Sequence, residues 1–188
     1  MAAAGNRFPL HRLVVAGLAF ALALSPLRAV TLNELLAAPS MTPQHFANYF
    51  EDFEFVLFEQ VQDPEVFLDT RRGNCQDFAI LGDYVLGRHG YETHLVHVRM
   101  VGQIAHDVCY VTQSDAFLDY NLRSYYRNLE RSGPTVREIA SRIAELFKSN
   151  WTSASEFTYT YEEGVKRMTF TVVKTDPPAE DPDCRAAK

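Results

Sequence analysis

The sequence contains no apolar run long enough to cross a bilayer as a helix. Its longest uncharged apolar stretch, residues 13–24, is about half the roughly 20 residues that such a span needs. Basic residues are in deficit, with 18 Lys and Arg against 24 Asp and Glu and a formal charge of −6. Such a surface repels nucleic acid and anionic lipid. Cysteine is scarce and odd in number, so the three cannot all pair within one molecule. Internal repeats and domain linkers are also missing. What remains, 188 residues with a hydrophobic fraction of 47%, suits one globular domain with a real core.

The N-terminus has its own grammar. Arg7 and Arg12 precede the apolar stretch, and Pro26 and the small residue Ala29 follow it. This pattern predicts a secretory signal peptide over residues 1–29, cut after Ala29, with no stable membrane insertion afterwards. Leu27 is an acceptable residue at the third position before the cut, and no cysteine stands there to carry a lipid. The expected location is periplasmic or secreted. Removing residues 1–29 leaves 15 basic against 24 acidic residues, a charge of −9. The exported chain would meet an oxidising compartment, where thiols tend to pair. Cys109 with Cys184 is one pairing that leaves Cys75 free. The domain is expected over residues 30–175, and the proline- and charge-rich tail 176–188 is expected to be disordered.

Short helices are expected at residues 32–36, from Pro43, and at 65–68, with 71–73 as a loop. The aromatic cluster from Phe46 to Val61 mixes periods, and its second half reads as either helix or strand. The clearest helix runs over residues 75–89, capped by Asn74, with Phe78, Leu81, Val85 and Leu86 on its apolar face and Gly90 closing it. Strands follow at 91–100, 106–112 and 116–122. Thr135 and Glu138 form a capping box for an amphipathic helix with Val136, Ile139, Ile143, Leu146 and Phe147 inward. A hairpin over 156–161 and 165–173 ends the domain. The aromatic residues, Tyr125, Tyr126, Trp151 and Tyr159 among them, are assigned to core and cleft walls.

A helix start suits a reactive thiol, because free backbone N–H groups and the helix dipole stabilise a thiolate there and can also hold an oxyanion. Cys75 occupies such a position, and Gly73 just before it would let a substrate backbone approach. A base must come from elsewhere. His11 is in the leader, His45 lies in an uncertain segment, and His89 is about 20 Å away at the far end of the helix. His94, His97 and His106 are on strands, and composition does not choose among them.

The run Gly73-Asn74-Cys75-Gln76-Asp77-Phe78-Ala79, then Gly90, then His106 opening a strand and Phe117-Leu118-Asp119-Tyr120-Asn121, resembles the core of transglutaminase-like proteins of papain-like fold. The nearest flavour is that of bacterial transglutaminase-like cysteine proteinases. The resemblance covers about residues 63–121. It implies an α+β fold in which the nucleophile helix packs on an antiparallel sheet. It also implies Cys75 as nucleophile, His106 as general base and Asp119 as the residue orienting it. His94 and His97 are then structural or exposed, Asp77 caps its own helix, and Gln60 and Gln62 are read as polar surface residues, with a side-chain oxyanion donor as the alternative. Acids around the nucleophile help bind calcium in the similar proteinases. Here Asn74 stands where such an acid would be, so neither metal nor cofactor is carried over.

Period-two geometry adds a constraint. Val108 and Tyr110 share the His106 face, while Asp107 and Cys109 point away. In a hairpin turning near Ser114, Asp119 lies opposite Cys109 or Tyr110, about 10 Å along the strand from His106. Twist or a bulge must close that gap, or Asn121 does the orienting. The implied activity is amide-bond hydrolysis of a protein or peptide substrate through a thioester, as a cysteine peptidase or amidase. Acyl transfer to an amine, and a binding or assembly module without turnover, are the competing expectations.

Overall fold

Capping residues set most of the boundaries. The computed structural model describes residues 29–122 and 129–175. The leader expected at 1–29, apart from Ala29, lies outside the described residues, as do the tail at 176–188, Tyr125, Tyr126 and Cys184. Helix α1, Leu32–Ala37, starts at a Thr31 capping box with Glu34. Helix α2, Pro43–Asn48, starts at Thr42 with proline in its first turn. Strand β1 is the short Glu54–Phe55. Helix α3, Pro64–Thr70, is capped by Asp63, and left-handed Arg71 ends it. Strand β2, Arg72–Gly73, runs parallel to β1. The expected loop at 71–73 is therefore half strand, held by Val56 N–H donating to the Gly73 carbonyl. The ambiguous stretch before Val61 is mostly turn and irregular chain: Phe50 and Phe53 are buried in the core while Phe55, Leu57 and Phe58 are exposed, so no single period holds.

Helix α4, Cys75–Arg88, carries the reciprocal Asn74 and Asp77 capping box. His89 and then left-handed Gly90 (φ 83°) close it. Strands β3, Thr93–Met100, and β4, His106–Val111, pair antiparallel with Val98 opposite His106. Strand β5 is Ala116–Leu118, which corrects the expected run to residue 122. Past Asp119 the chain tightens into a 3-10 turn, Tyr120–Leu122, and Tyr120 is buried in the core. Strand β6, Leu129–Arg131, pairs with β5. Helix α5, Val136–Leu146, begins at the expected Thr135 and Glu138 box. Strand β7, Trp151–Thr158, starts five residues before the predicted hairpin strand, and β8 is Arg167–Val173.

The sheet is six-stranded and antiparallel, in the order β6-β5-β4-β3-β7-β8. Alternation sorts its residues onto two cores. On one face Leu95, Cys109, Val111 and Leu118 meet α4 and the aromatic cluster of Phe46, Phe50, Phe67 and Phe78. On the other, Val96, Val98, Val108, Tyr110 and Phe117 meet Ile139, Ile143 and Trp151. This is the expected α+β architecture. Among the described residues no helix is long and apolar enough to cross a membrane.

Candidate active site

Cys75 is the first residue of α4, and its neighbours explain why the helix begins there. Asn74 accepts from the backbone N–H groups of Gln76 (2.9 Å) and Asp77 (3.4 Å), and the Asp77 carboxylate accepts from Asn74 N–H at 2.9 Å. The Asn74 carbonyl takes the Phe78 N–H. Among the described residues, every N–H from Asn74 to Phe78 therefore has an acceptor except that of Cys75. The spare donor sits on the residue that carries the thiol, as an oxyanion hole requires.

His106 opens β4, nearly opposite the helix start. Leu118 pairs with Cys109, which continues the register to place Asp119 opposite Val108, two residues from His106 and on the same face. The 3-10 turn past Asp119 then does what twist or a bulge was expected to do. His106 Nε2 and Asp119 Oδ1 lie 3.0 Å apart, with side chains only 4% and 1% exposed. The contact is short but not aligned as a linear hydrogen bond, and Nε2 and Asp119 Oδ2 are buried without a hydrogen-bond partner. Asp119 Oδ1 also accepts the Asn121 N–H at 2.8 Å, an Asx turn that fixes the carboxylate. Asn121 itself is exposed, so Asp119, not Asn121, stands next to the imidazole.

Three groups act on the His106 ring. Burial disfavours its charge, but the Asp119 carboxylate, followed by Cys75 as hydrogen-bond partner and by charge, outweighs that and holds its pKa well above the ordinary 6.5. The Phe147 ring, at the C-terminal cap of α5, covers the imidazole with 4.9 Å between centroids. Cys75, at 9% exposure, completes a buried cysteine, histidine and aspartate set. Residues 36–127, which include all three, match the model of a transglutaminase-like domain. The chain carries a transglutaminase-like domain over that stretch. No curated protein gave a match.

The transglutaminase-like stretch extends from α1 past β5, and α5, β7 and β8 lie outside it. Within it, the structure adds to two readings of the helix start. Packing alone requires glycine at position 73, because a Cβ there would sit 2.4 Å from the Phe67 ring and 2.9 Å from an Asp77 oxygen. Gln62 is no free oxyanion donor, since its amide donates to the Arg72 carbonyl (2.8 Å) and to Asp77 (3.1 Å), while its N–H donates to Asp77 at 2.8 Å. Asp77 thus caps α4, as expected, and also ties the preceding loop to it. Burial still pushes the Asp77 carboxyl above its usual range, against these hydrogen bonds. Cys109 is fully buried, and burial pushes its thiol well above the ordinary range.

Sequence reasoning missed a second histidine and aspartate couple on the α4 face of this transglutaminase-like sheet. His97 Nδ1 lies 2.6 Å from Asp107 Oδ1, and Lys166 Nζ is 2.6 Å from Asp107 Oδ2. Burial opposes the Asp107 charge, yet His97 and Lys166 hold its pKa below the usual carboxylate value. The adjacency of residues 97 and 107 across β3 and β4 was implicit in the hairpin register, whereas Lys166 arrives from beyond the matched region. His94 pairs with Glu156 at 2.6 Å, and His89 contacts the Leu35 carbonyl at 2.9 Å. Both roles are structural.

Proposed function

We propose that this protein is an exported thiol-dependent amide hydrolase, a cysteine peptidase or amidase, acting through Cys75, His106 and Asp119. The observation that carries this reading is the buried set itself: a thiol on the one residue of the α4 start with a spare N–H, acting on an imidazole that Asp119 approaches at 3.0 Å.

The chemistry follows from those positions. The Cys75 thiolate adds to an amide carbonyl, and the oxygen takes the negative charge facing the Cys75 N–H. His106, carrying the thiol proton as imidazolium, delivers it to the leaving amine as the C–N bond breaks. Water then attacks the thioester, His106 accepts its proton, and the proton returns to the thiol as the acid leaves. Asp119 supports the imidazolium throughout. Release to an amine in place of water would be acyl transfer, and the same groups serve it. One observation favours a module without turnover: Cys75 is only 9% exposed. Export rests on the leader pattern of residues 7–29.

Alkylation by iodoacetamide, followed by peptide mass mapping, tests the thiol in the protein secreted from its own leader. Cys75 is expected to label at least about tenfold faster than buried Cys109. Cys75→Ser should abolish both this label and hydrolysis of a peptide amide, and N-terminal sequencing should begin at Val30. Equal, slow labelling of both cysteines with no hydrolysis would establish the module instead.

A further inference from the structure

A cleft of about 520 Å³ lies beside the site, walled by Glu59, Asp63, Gln76, Tyr159, Tyr161 and Lys166 among others. Its position follows from two sequence neighbours. Gln76 follows Cys75 at the start of α4, and Lys166 is bonded to Asp107, the residue after His106 on β4, whose side chain is on the α4 face of the sheet. The loop carrying Glu59 is pinned to the start of α4 by Asn74 Nδ2 donating to the Phe58 carbonyl at 3.3 Å and by Gln62 donating to Asp77. A group bound there lies against the first turn of α4, the turn that carries Cys75.

We infer that this cleft is a subsite for a cationic side chain, lysine or arginine, on the peptide attacked by Cys75. The inference rests on the reading of Cys75 as nucleophile. The cleft is of a size to take one or two side chains. Lys166 is the single cation in its lining, and Asp107, at 2.6 Å, already neutralises it. Neither Glu59 nor Asp63 makes an ion pair among the described residues, although Oδ1 of Asp63 is engaged in capping α3. Two carboxylates therefore set the sign of the field. The rings of Tyr159 and Tyr161 meet edge to face at 5.5 Å between centroids and offer π surface to a cation. Burial first, and then Asp77, Tyr159 and Asp63 among the surrounding groups, push the Tyr161 hydroxyl far above its usual range, in keeping with a negative cleft.

Binding to the unreactive Cys75→Ala protein isolates the subsite from turnover. The probes are three fluorescein-labelled pentapeptides, Gly-Ala-X-Ala-Gly with X as Arg, Leu or Glu, read by fluorescence anisotropy. The Arg peptide is expected to bind about tenfold more tightly than the Leu peptide, the Glu peptide most weakly, and the preference to shrink with added salt. Glu59→Gln with Asp63→Asn, which preserves the helix cap, should bring the Arg and Leu peptides within about threefold. Glu59→Gln alone, at an exposed position, should already narrow the gap. Equal binding of the three peptides, or a preference that survives both substitutions, overturns the subsite. Alkylation of wild-type Cys75 separates the two ideas: an inert thiol with an intact Arg preference would sink the nucleophile and leave the subsite standing.

Discussion

The same sheet holds two histidine and aspartate couples, one on each face, and they differ in what they leave unsatisfied. His97 and Asp107 meet at 2.6 Å, and Lys166 occupies the second carboxylate oxygen. Each charge there has a partner. His106 and Asp119 approach at a longer 3.0 Å, off-line, with a buried nitrogen and a buried oxygen unpaired. Buried polar groups are normally satisfied, because desolvation without a partner costs about 1–3 kcal/mol. A structural couple closes its hydrogen bonds, whereas a couple with the role proposed for His106 and Asp119 keeps capacity for a charge that appears only during reaction. Cys75 acts on the second couple, and its Phe147 cover keeps water away.

The sharpest break in the comparison is to delete each imidazole in turn. His106→Ala should lower peptide-amide hydrolysis by about 10³-fold, the range expected for loss of general acid and base. His97→Gln should leave the rate within about threefold, since its ring faces Asp107 and Lys166 rather than the thiol. Steady-state kinetics on both variants decides it. Similar losses from the two would mean that both couples serve the chemistry, or that neither does.

Asp119→Asn addresses the charge rather than the ring, and its effect on rate should be smaller, roughly 10- to 100-fold. The pH profile carries the distinguishing sign. The Asp119 charge raises the His106 pKa, so removing it lowers that pKa. The alkaline limb of activity, where His106 loses the proton needed by the leaving amine, should therefore move to lower pH. Stability follows the same group. A raised histidine pKa stabilises the fold fully below its unfolded value near 6.5, and that contribution is lost as pH rises through the folded value. Urea titrations of wild type should show this decline above pH 6.5, and Asp119→Asn should flatten it. An unmoved alkaline limb would mean that another group sets it.

Much of this site was legible because its parts are local. Asn74, Cys75 and Asp77 announce a capped helix start within four consecutive letters, and Gly90 announces its end. His106 opens a strand whose pairing follows from alternation. Asp119 was named by resemblance, but its approach was not derivable, since it depends on β5 stopping at Leu118 and the chain turning. Period-two reasoning assumes that the strand continues, and it made Asn121 look like an equal candidate. Burial of Tyr120 in the α4 core accompanies that stop. The packing role of Gly73 was hidden for a related reason, because the ring it accommodates, Phe67, comes from another helix. Lys166 stayed invisible as a partner of Asp107, 59 residues away, since no local pattern encodes a salt bridge.

That salt bridge supplies the gentlest break. Asp107→Asn leaves the Lys166 ammonium, whose side chain is 18% exposed, without its counter-charge. Full burial of an orphaned charge would cost about 3–5 kcal/mol, and the remaining solvent contact of Lys166 should hold the loss near 2 kcal/mol. Urea denaturation measures this, and Asp107→Asn with Lys166→Met should recover part of it by deleting the unpaired cation as well. Cys75 alkylation should meanwhile stay within about threefold of wild type, because His106 and Asp119 keep their places. If the rate fell as far as in Asp119→Asn, the two couples would be energetically linked through residues 106 and 107 of β4, and saturation would no longer separate the structural couple from the reactive one.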